Sequence, residues 1–110
     1  MELTSERENN YWLIKIDGDL DASSSVKLDN EISHLIATDE KNIFVDCQNL
    51  NYIASAGLGV FMSYLQDLID NNISMQLFNL NEKVLEVFKI LGLDELINIV
   101  ENKKNAIATI

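Results

Sequence analysis

The sequence of 110 residues has one cysteine, Cys47, and one histidine, His34. A single cysteine cannot close an internal disulfide, and two such residues cannot supply the spaced ligand cluster that structural zinc requires. Neither residue belongs to a recognisable Ser-His-acid or Cys-His arrangement. Phosphate-binding loops and paired catalytic groups are missing as well. We therefore expect no metal, no cofactor and no enzymatic activity.

Long hydrophobic runs are also absent. The longest, such as Ile43–Val45, fall far short of the roughly 20 apolar residues that cross a bilayer. The first eight residues carry mixed charge, whereas a secretory signal would begin with basic residues followed by an apolar stretch. These patterns predict a soluble, cytoplasmic protein without a membrane partner.

Basic residues are few. Eight lysines and arginines stand against eighteen aspartates and glutamates, and the formal net charge is -10. This charge would repel a phosphate backbone, so nucleic acid is excluded as an expected partner. It favours encounter with a basic protein surface, although it could equally serve only to keep a small domain soluble.

Four regions have the period or composition of strands. In Tyr11–Asp17, Trp12 and Ile14 alternate with polar positions such as Lys15, which indicates a strand exposed on one side. Asn42–Cys47 contains a continuous apolar block, which is typical of a central strand covered on both faces. The remaining predicted strands are Ile73–Phe78 and a short one within Ile97–Val100, with a possible edge strand at Glu2–Glu6.

Helical spacing predicts three helices between these strands. The first starts after Asp21, with Asp21 or Ser23 as its N-cap. The second runs from about Ala56 to Asn71 after a polar linker at 48–51. The third is capped by Asn81 and stopped by Gly92, while residues 101–110 form a fourth helix or a frayed tail. Alternating strands and helices predict an α/β fold: one domain spanning residues 1–110, with a mixed, mostly parallel sheet of about four or five strands and about four helices.

The most informative segment joins the central strand to the second helix. Its residues 54–59 read Ala-Ser-Ala-Gly-Leu-Gly. Small side chains here allow another macromolecule to approach closely, and the start of a helix stabilises an anion such as a phosphate on Ser55. The competing interpretation is that Ser55 only caps the helix and the small residues only let it pack on the sheet. Without a following lysine or a third glycine, the segment is neither a P-loop nor a dinucleotide fingerprint.

This segment resembles the signature of the STAS domain family: an aspartate near the end of a strand, a hydrophobic loop, then a small residue, Ser, Ser/Thr/Ala, Gly, Leu and Gly. Residues 18–21, Gly-Asp-Leu-Asp, resemble the end of an early strand in that family, and 84–93 resemble its third helix. The similarity extends over residues 11–105. It is to the anti-sigma factor antagonist type, and it implies a single STAS domain.

The resemblance implies a phosphorylation switch. In that branch the unphosphorylated protein binds an anti-sigma factor that is also a serine kinase, phosphorylation of the serine matching Ser55 ends the binding, and a phosphatase restores it. It also implies a role for Asp21 in recognising the kinase, with capping of the first helix as the alternative. The implied partner-binding residues are Asp21, Ala54, Ser55, Ala56, Gly57, Leu58 and Gly59.

Two departures from the family pattern concern the switch. Ala54 stands where Asp or Ser is common, and Ala56 replaces a frequent Ser or Thr. If Ser55 were not phosphorylated, the chain would be a constitutive binder, such as a STAS subunit of a lipid transporter or a sensory assembly. We expect a monomer when the protein is free of its partners.

Overall fold

The computed structural model describes residues 1–110 and contains one five-stranded sheet in the order β1-β2-β3-β4-β5. The strands are β1 Glu2–Glu8, β2 Tyr11–Leu20, β3 Asn42–Ile53, β4 Ser74–Phe78 and β5 Asn98–Ile99. β1 pairs with β2 in the antiparallel sense, and all other neighbours are parallel. The predicted mixed, mostly parallel sheet is therefore confirmed.

Helices cover both faces of this sheet unequally. They are α1 Ser25–Ala37, α2 Ser55–Ser63, α3 Leu65–Asp70, α4 Glu82–Ile90 and α5 Lys103–Ile107, with a 3₁₀ turn at Leu93–Glu95. The main hydrophobic core of 22 buried residues joins one sheet face to α1 through α4. A smaller cluster lies on the other face, where Ala106 of α5 packs with Leu13, Phe44 and Phe78. None of the helices is both long enough and apolar enough to cross a membrane.

The central strand β3 is buried on both faces, as its apolar block predicted. Ile43 and Val45 belong to the main core, whereas Phe44 belongs to the smaller cluster. The side chains alternate between the two faces because successive residues of a strand point in opposite directions.

β2 is less exposed than its sequence predicted. Lys15 and Asp17 are exposed as expected, but Leu13 and Tyr11 on the same face are buried. Tyr11 stacks on Phe44 with ring centroids 4.5 Å apart. The cover comes from α5, more than 80 positions away in the chain, so the pattern of β2 alone could not reveal it.

The predicted polar linker at 48–51 is wrong, because these residues lie within β3. They pair with the second half of β2, with Asn49 opposite Asp17 and Leu50 opposite Gly18. The pairing contains irregularities on both sides of this segment, and Gly18 takes a positive φ of 106°. Backbone hydrogen bonding to β2 thus extends the strand through a polar sequence that lacks a strand period.

The predicted second helix is divided into α2 and α3 at Tyr64, which has φ -100° and ψ -3°. The Tyr64 hydroxyl donates a hydrogen bond to the Asp29 carboxylate of α1. Tyr64, which separates α2 from α3, is thereby held against the neighbouring α1.

The predicted signals at the two ends of α4 are confirmed. The Asn81 side chain accepts a hydrogen bond from the Val84 N–H at 2.8 Å and caps α4, while its Nδ2 donates to the Leu50 carbonyl at 3.0 Å. Gly92 follows α4 with φ 72°, in the left-handed region that glycine readily adopts. The C-terminal segment is helical at α5.

Candidate functional site

The small-residue segment lies at the carboxyl end of the sheet, where β3 passes into α2. Leu20 at the end of β2 pairs with Ile53 at the end of β3. The next residue, Ala54, donates its N–H to the Leu20 carbonyl at 2.9 Å. Asp21 and Ser55 therefore follow two neighbouring strand ends that are joined by backbone hydrogen bonding.

Ser55 is exposed and is the first residue of α2, one position earlier than predicted. The N-cap is Ala54, with extended backbone at φ -84° and ψ 168°, and no side chain caps the helix. The interpretation of Ser55 as the N-cap is therefore wrong. Its hydroxyl is left available to solvent, which is what a kinase substrate requires.

Backbone donors at the start of α2 lie beside this hydroxyl. The first helical hydrogen bond runs from Leu58 N–H to the Ala54 carbonyl at 3.1 Å. The N–H groups of Ser55, Ala56 and Gly57 precede it and have no partner inside the helix. The first turn also contains no acidic side chain that would offset the positive end of the helix dipole. The unpaired N–H groups and the helix dipole would therefore stabilise a phosphate dianion on Ser55.

Two of the predicted partner-binding residues, Gly57 and Leu58, are buried. A β-carbon built on Gly57 would approach Leu20 and the Cγ1 of Ile53 to 3.0 Å or less, so only glycine lets α2 pack this closely on the strand ends. These two residues fix the position of the helix and do not form its outer surface.

The outer surface at this point consists of Ala54, Ser55, Ala56 and Gly59, which we call the Ser55 surface. Ser55, Ala56 and Gly59 are exposed, and Ala54 is half-buried. A β-carbon on Gly59 would have no atom within 4 Å, so internal packing does not require glycine there. Met62, at the helical spacing that continues from Ser55 and Gly59, is 47% exposed and extends the same face.

Asp21 forms a reciprocal pair of hydrogen bonds with Ser24. Its carboxylate accepts the Ser24 N–H at 2.9 Å, and its own N–H donates to the Ser24 hydroxyl at 2.9 Å. The Ser24 N–H, then the Ser24 and Ser23 hydroxyls, hold the pKa of the Asp21 carboxyl below its usual value. The N-cap of α1 is Ser24, and no side chain caps the helix, so the predicted capping of the first helix by Asp21 is wrong. Asp21 instead closes the turn that precedes α1. Asp21 is also exposed, and its role towards a partner stays a prediction.

Tyr52 is a residue of this region to which the sequence assigned no role. It is 56% exposed although it lies in β3, where it pairs with Asp19. The exposed aromatic ring is three positions before Ser55. The predicted strand ended at Cys47, whereas β3 continues to Ile53 and so includes Tyr52.

Four other titratable residues near these elements are hydrogen-bonded, buried or exposed to solvent. Asp46 accepts hydrogen bonds from the Gln48 N–H at 3.0 Å and the Asn79 amide at 3.2 Å, and Asp19 is exposed. Cys47 is fully buried, which raises the pKa of its thiol, while His34 is exposed on α1. No cluster of three or more His, Cys, Asp or Glu residues could hold a metal ion.

Comparison with known proteins adds a family and a fold. Residues 2–106 match the model of the STAS domain. An anti-sigma-B factor antagonist of Staphylococcus aureus (strain NCTC 8325 / PS 47) is 23% identical over 101 residues, which cover 92% of this chain and 94% of that protein.

Solved structures have the same fold at lower identity. An anti-sigma factor antagonist from Mycobacterium paratuberculosis superposes with a TM-score of 0.88 at 14% identity, covering 98% of this chain and 92% of its own. The Bacillus cell fate determinant SpoIIAA in its phosphorylated form gives a TM-score of 0.76 at 20% identity, with 98% of each chain covered.

Proposed function

The chain belongs to the STAS domain family, and on that premise we propose that it is an anti-sigma factor antagonist. It binds an anti-sigma factor that is also a serine kinase, and so releases a sigma factor for transcription. The names of its relatives support this proposal, as does the match along nearly the whole of both chains. The protein acts by binding and performs no catalysis of its own.

The observation that carries the proposal is the exposed Ser55 hydroxyl, which does not cap α2. It lies in the middle of a surface of small residues, so a partner backbone can approach it closely. Ala54 and Ala56 supply no second hydroxyl. Ser55 is therefore the one residue of 54–59 that can accept a phosphoryl group.

Phosphorylation of Ser55 switches the binding off. The Ser55 hydroxyl gives up its proton and its oxygen bonds to the γ-phosphorus of ATP, while the bond from that phosphorus to the bridging oxygen breaks and releases ADP. The surface gains about 1.5 to 2 negative charges with three acceptor oxygens. This group blocks a closely fitted interface. The free N–H groups at the start of α2 accommodate it within the domain, so affinity changes while the fold persists. A phosphoserine phosphatase reverses the reaction.

Residues around the Ser55 surface contribute to the interface. Asp21 supplies a charge at the neighbouring strand end, and Tyr52 and Met62 supply exposed apolar area. Tyrosine is enriched among the residues that dominate binding energies, which makes Tyr52 an anchor candidate. The protein is a monomer when free, because a net charge of -10 opposes its association with copies of itself.

The test is phosphorylation by candidate anti-sigma kinases from the same genome, followed by mass spectrometry of the intact chain and its peptides. One phosphate on Ser55 is expected in the wild type, and none in Ser55→Ala. Ser63→Ala is the matched control, because Ser63 is another exposed serine of α2. Phosphate at a different residue, or equal labelling of Ser55→Ala, would refute the proposal.

A further inference from the structure

An apolar groove lies at the other end of the domain from Ser55. It is lined by the end of α2, by α3, by the start of β4 and by the segment around β5, and its volume is about 240 Å³. Eight of its ten lining residues are hydrophobic, including Phe61, Leu65 and Met75. Because β4 begins opposite Asn42, the first residue of β3, the groove is distant from the strand end that leads to Ser55.

Two lining residues are large, apolar and unusually exposed. Ile69 of α3 is 68% exposed, and Leu96 after the 3₁₀ turn is 61% exposed. Contiguous exposed apolar surface of this kind marks an interaction site more often than isolated exposed residues do.

The charge around the groove is mainly negative. The cation Lys41 donates to the Asn71 carbonyl at 2.9 Å beside it, but is ion-paired with Asp39. Residues 61–78 and 90–102, which form or border it, contain no lysine or arginine. They contain five carboxylates, all exposed: Asp67, Asp70, Asp94, Glu95 and Glu101. An occupant must therefore offer apolar side chains flanked by positive charge.

The apolar lining and the acidic rim together favour one class of binding partner. A second copy of the chain would bring another -10 charges to an acidic rim, and an anionic membrane would be repelled for the same reason. The groove is also smaller than the roughly 300–1,000 Å³ typical of pockets for drug-sized ligands, but it can take a few aliphatic side chains. We propose that it binds a cationic amphipathic helix of a partner protein, with two or three apolar anchors between Ile69 and Leu96.

The groove and the Ser55 surface consist of different residues, and the element they share is α2, whose Phe61 lines the groove. No residue of the Ser55 surface lines the groove. A partner held there would stay bound through cycles of phosphorylation. If the groove bound no such helix, the proposed antagonist function would still stand. If Ser55 were not phosphorylated, the proposed groove interaction would still stand.

The test uses a fluorescent peptide of about 18 residues, long enough to form a helix, with leucines on one face and lysines on the other. Binding is measured by anisotropy, against a peptide of the same composition in scrambled order. We expect the ordered peptide to bind more tightly, and the double variant Ile69→Ser, Leu96→Ser to bind about tenfold or more weakly than the wild type. Ile107→Ser on α5 is the matched control, since Ile107 is exposed but lies on the other face of the sheet.

A second pair of variants tests the charge. Asp67→Asn with Asp94→Asn should weaken peptide binding and reduce its salt dependence. Glu2→Gln with Glu6→Gln removes two exposed charges from β1, at the opposite edge of the sheet from β5, and should change binding less. Ser55→Glu should leave the affinity unchanged.

Mapping by ¹⁵N NMR on the unaltered protein makes the test independent of variant folding. Peptide-induced shifts should concentrate at Gln66, Ile69, Leu96 and Asn98, which line the groove. Equal binding of the scrambled peptide, or shifts scattered over the acidic surface, would overturn the proposal. Dimerisation or binding to anionic vesicles that is lost in the Ile69→Ser, Leu96→Ser variant would overturn it too.

Discussion

Gly57 lies so close to Leu20 that a β-carbon on the glycine would be 2.8 Å from the Cγ and Cδ2 atoms of the leucine. Leu20 is fully buried, so its side chain has little freedom to move aside. The contact joins the end of β2 to the first turn of α2. It thereby sets where Ser55 lies relative to Asp21.

Gly57→Ala should destabilise the domain by about 1–3 kcal/mol, because the added methyl overpacks a close contact. The start of α2 should also move, which would weaken binding of the anti-sigma partner. Chemical denaturation measures the first effect and an affinity titration the second. Stability equal to the wild type would show that the contact between Gly57 and Leu20 is not tight.

Gly59→Ala should have opposite effects on stability and binding. The position is helical and open, so alanine should stabilise the domain by about 0.5–1 kcal/mol. The same methyl projects from the Ser55 surface and should weaken the complex with the anti-sigma factor. Denaturation and titration of one protein sample test both. Unchanged affinity would remove Gly59 from the interface.

Asp21 should make stability depend on pH in acid. Its folded-state pKa is lowered, chiefly by the hydrogen bond from the Ser24 N–H. Its contribution is therefore fully present above the unfolded pKa of about 3.9, and is lost as pH falls through the lower folded-state pKa. Denaturation of the wild type and Asp21→Ala between pH 7 and pH 2 measures it. The difference in stability between the two should shrink below about pH 4, and a constant difference would contradict this assignment.

Signals that act within a few residues could be read from the sequence. Asn81 caps α4 and Gly92 ends it. Both could be predicted because capping and helix termination depend only on the adjacent backbone. Contacts between distant segments could not be read in this way. The polar residues 48–51 are strand because β2 pairs with them, and Leu13 is buried because α5 covers it.

In the candidate site, too, the local features could be predicted from the sequence and the features set by the folded chain could not. The motif located Ser55 at the junction of strand and helix, but a helix start one residue earlier decides that Ala54, not Ser55, is the N-cap. This difference of one residue determines whether the Ser55 hydroxyl caps the helix or faces solvent. The groove between Ile69 and Leu96 was not foreseen, because the two residues meet only in the folded chain.

The most direct measurement is the affinity of the cognate anti-sigma kinase for four forms of the chain: unphosphorylated wild type, wild type phosphorylated on Ser55, Ser55→Ala and Ser55→Asp. The unphosphorylated wild type and Ser55→Ala should bind alike, and the forms with a negative charge at position 55 should bind at least about tenfold more weakly. Circular dichroism should show the same fold in all four. Equal affinity of the four forms would contradict the phosphorylation switch.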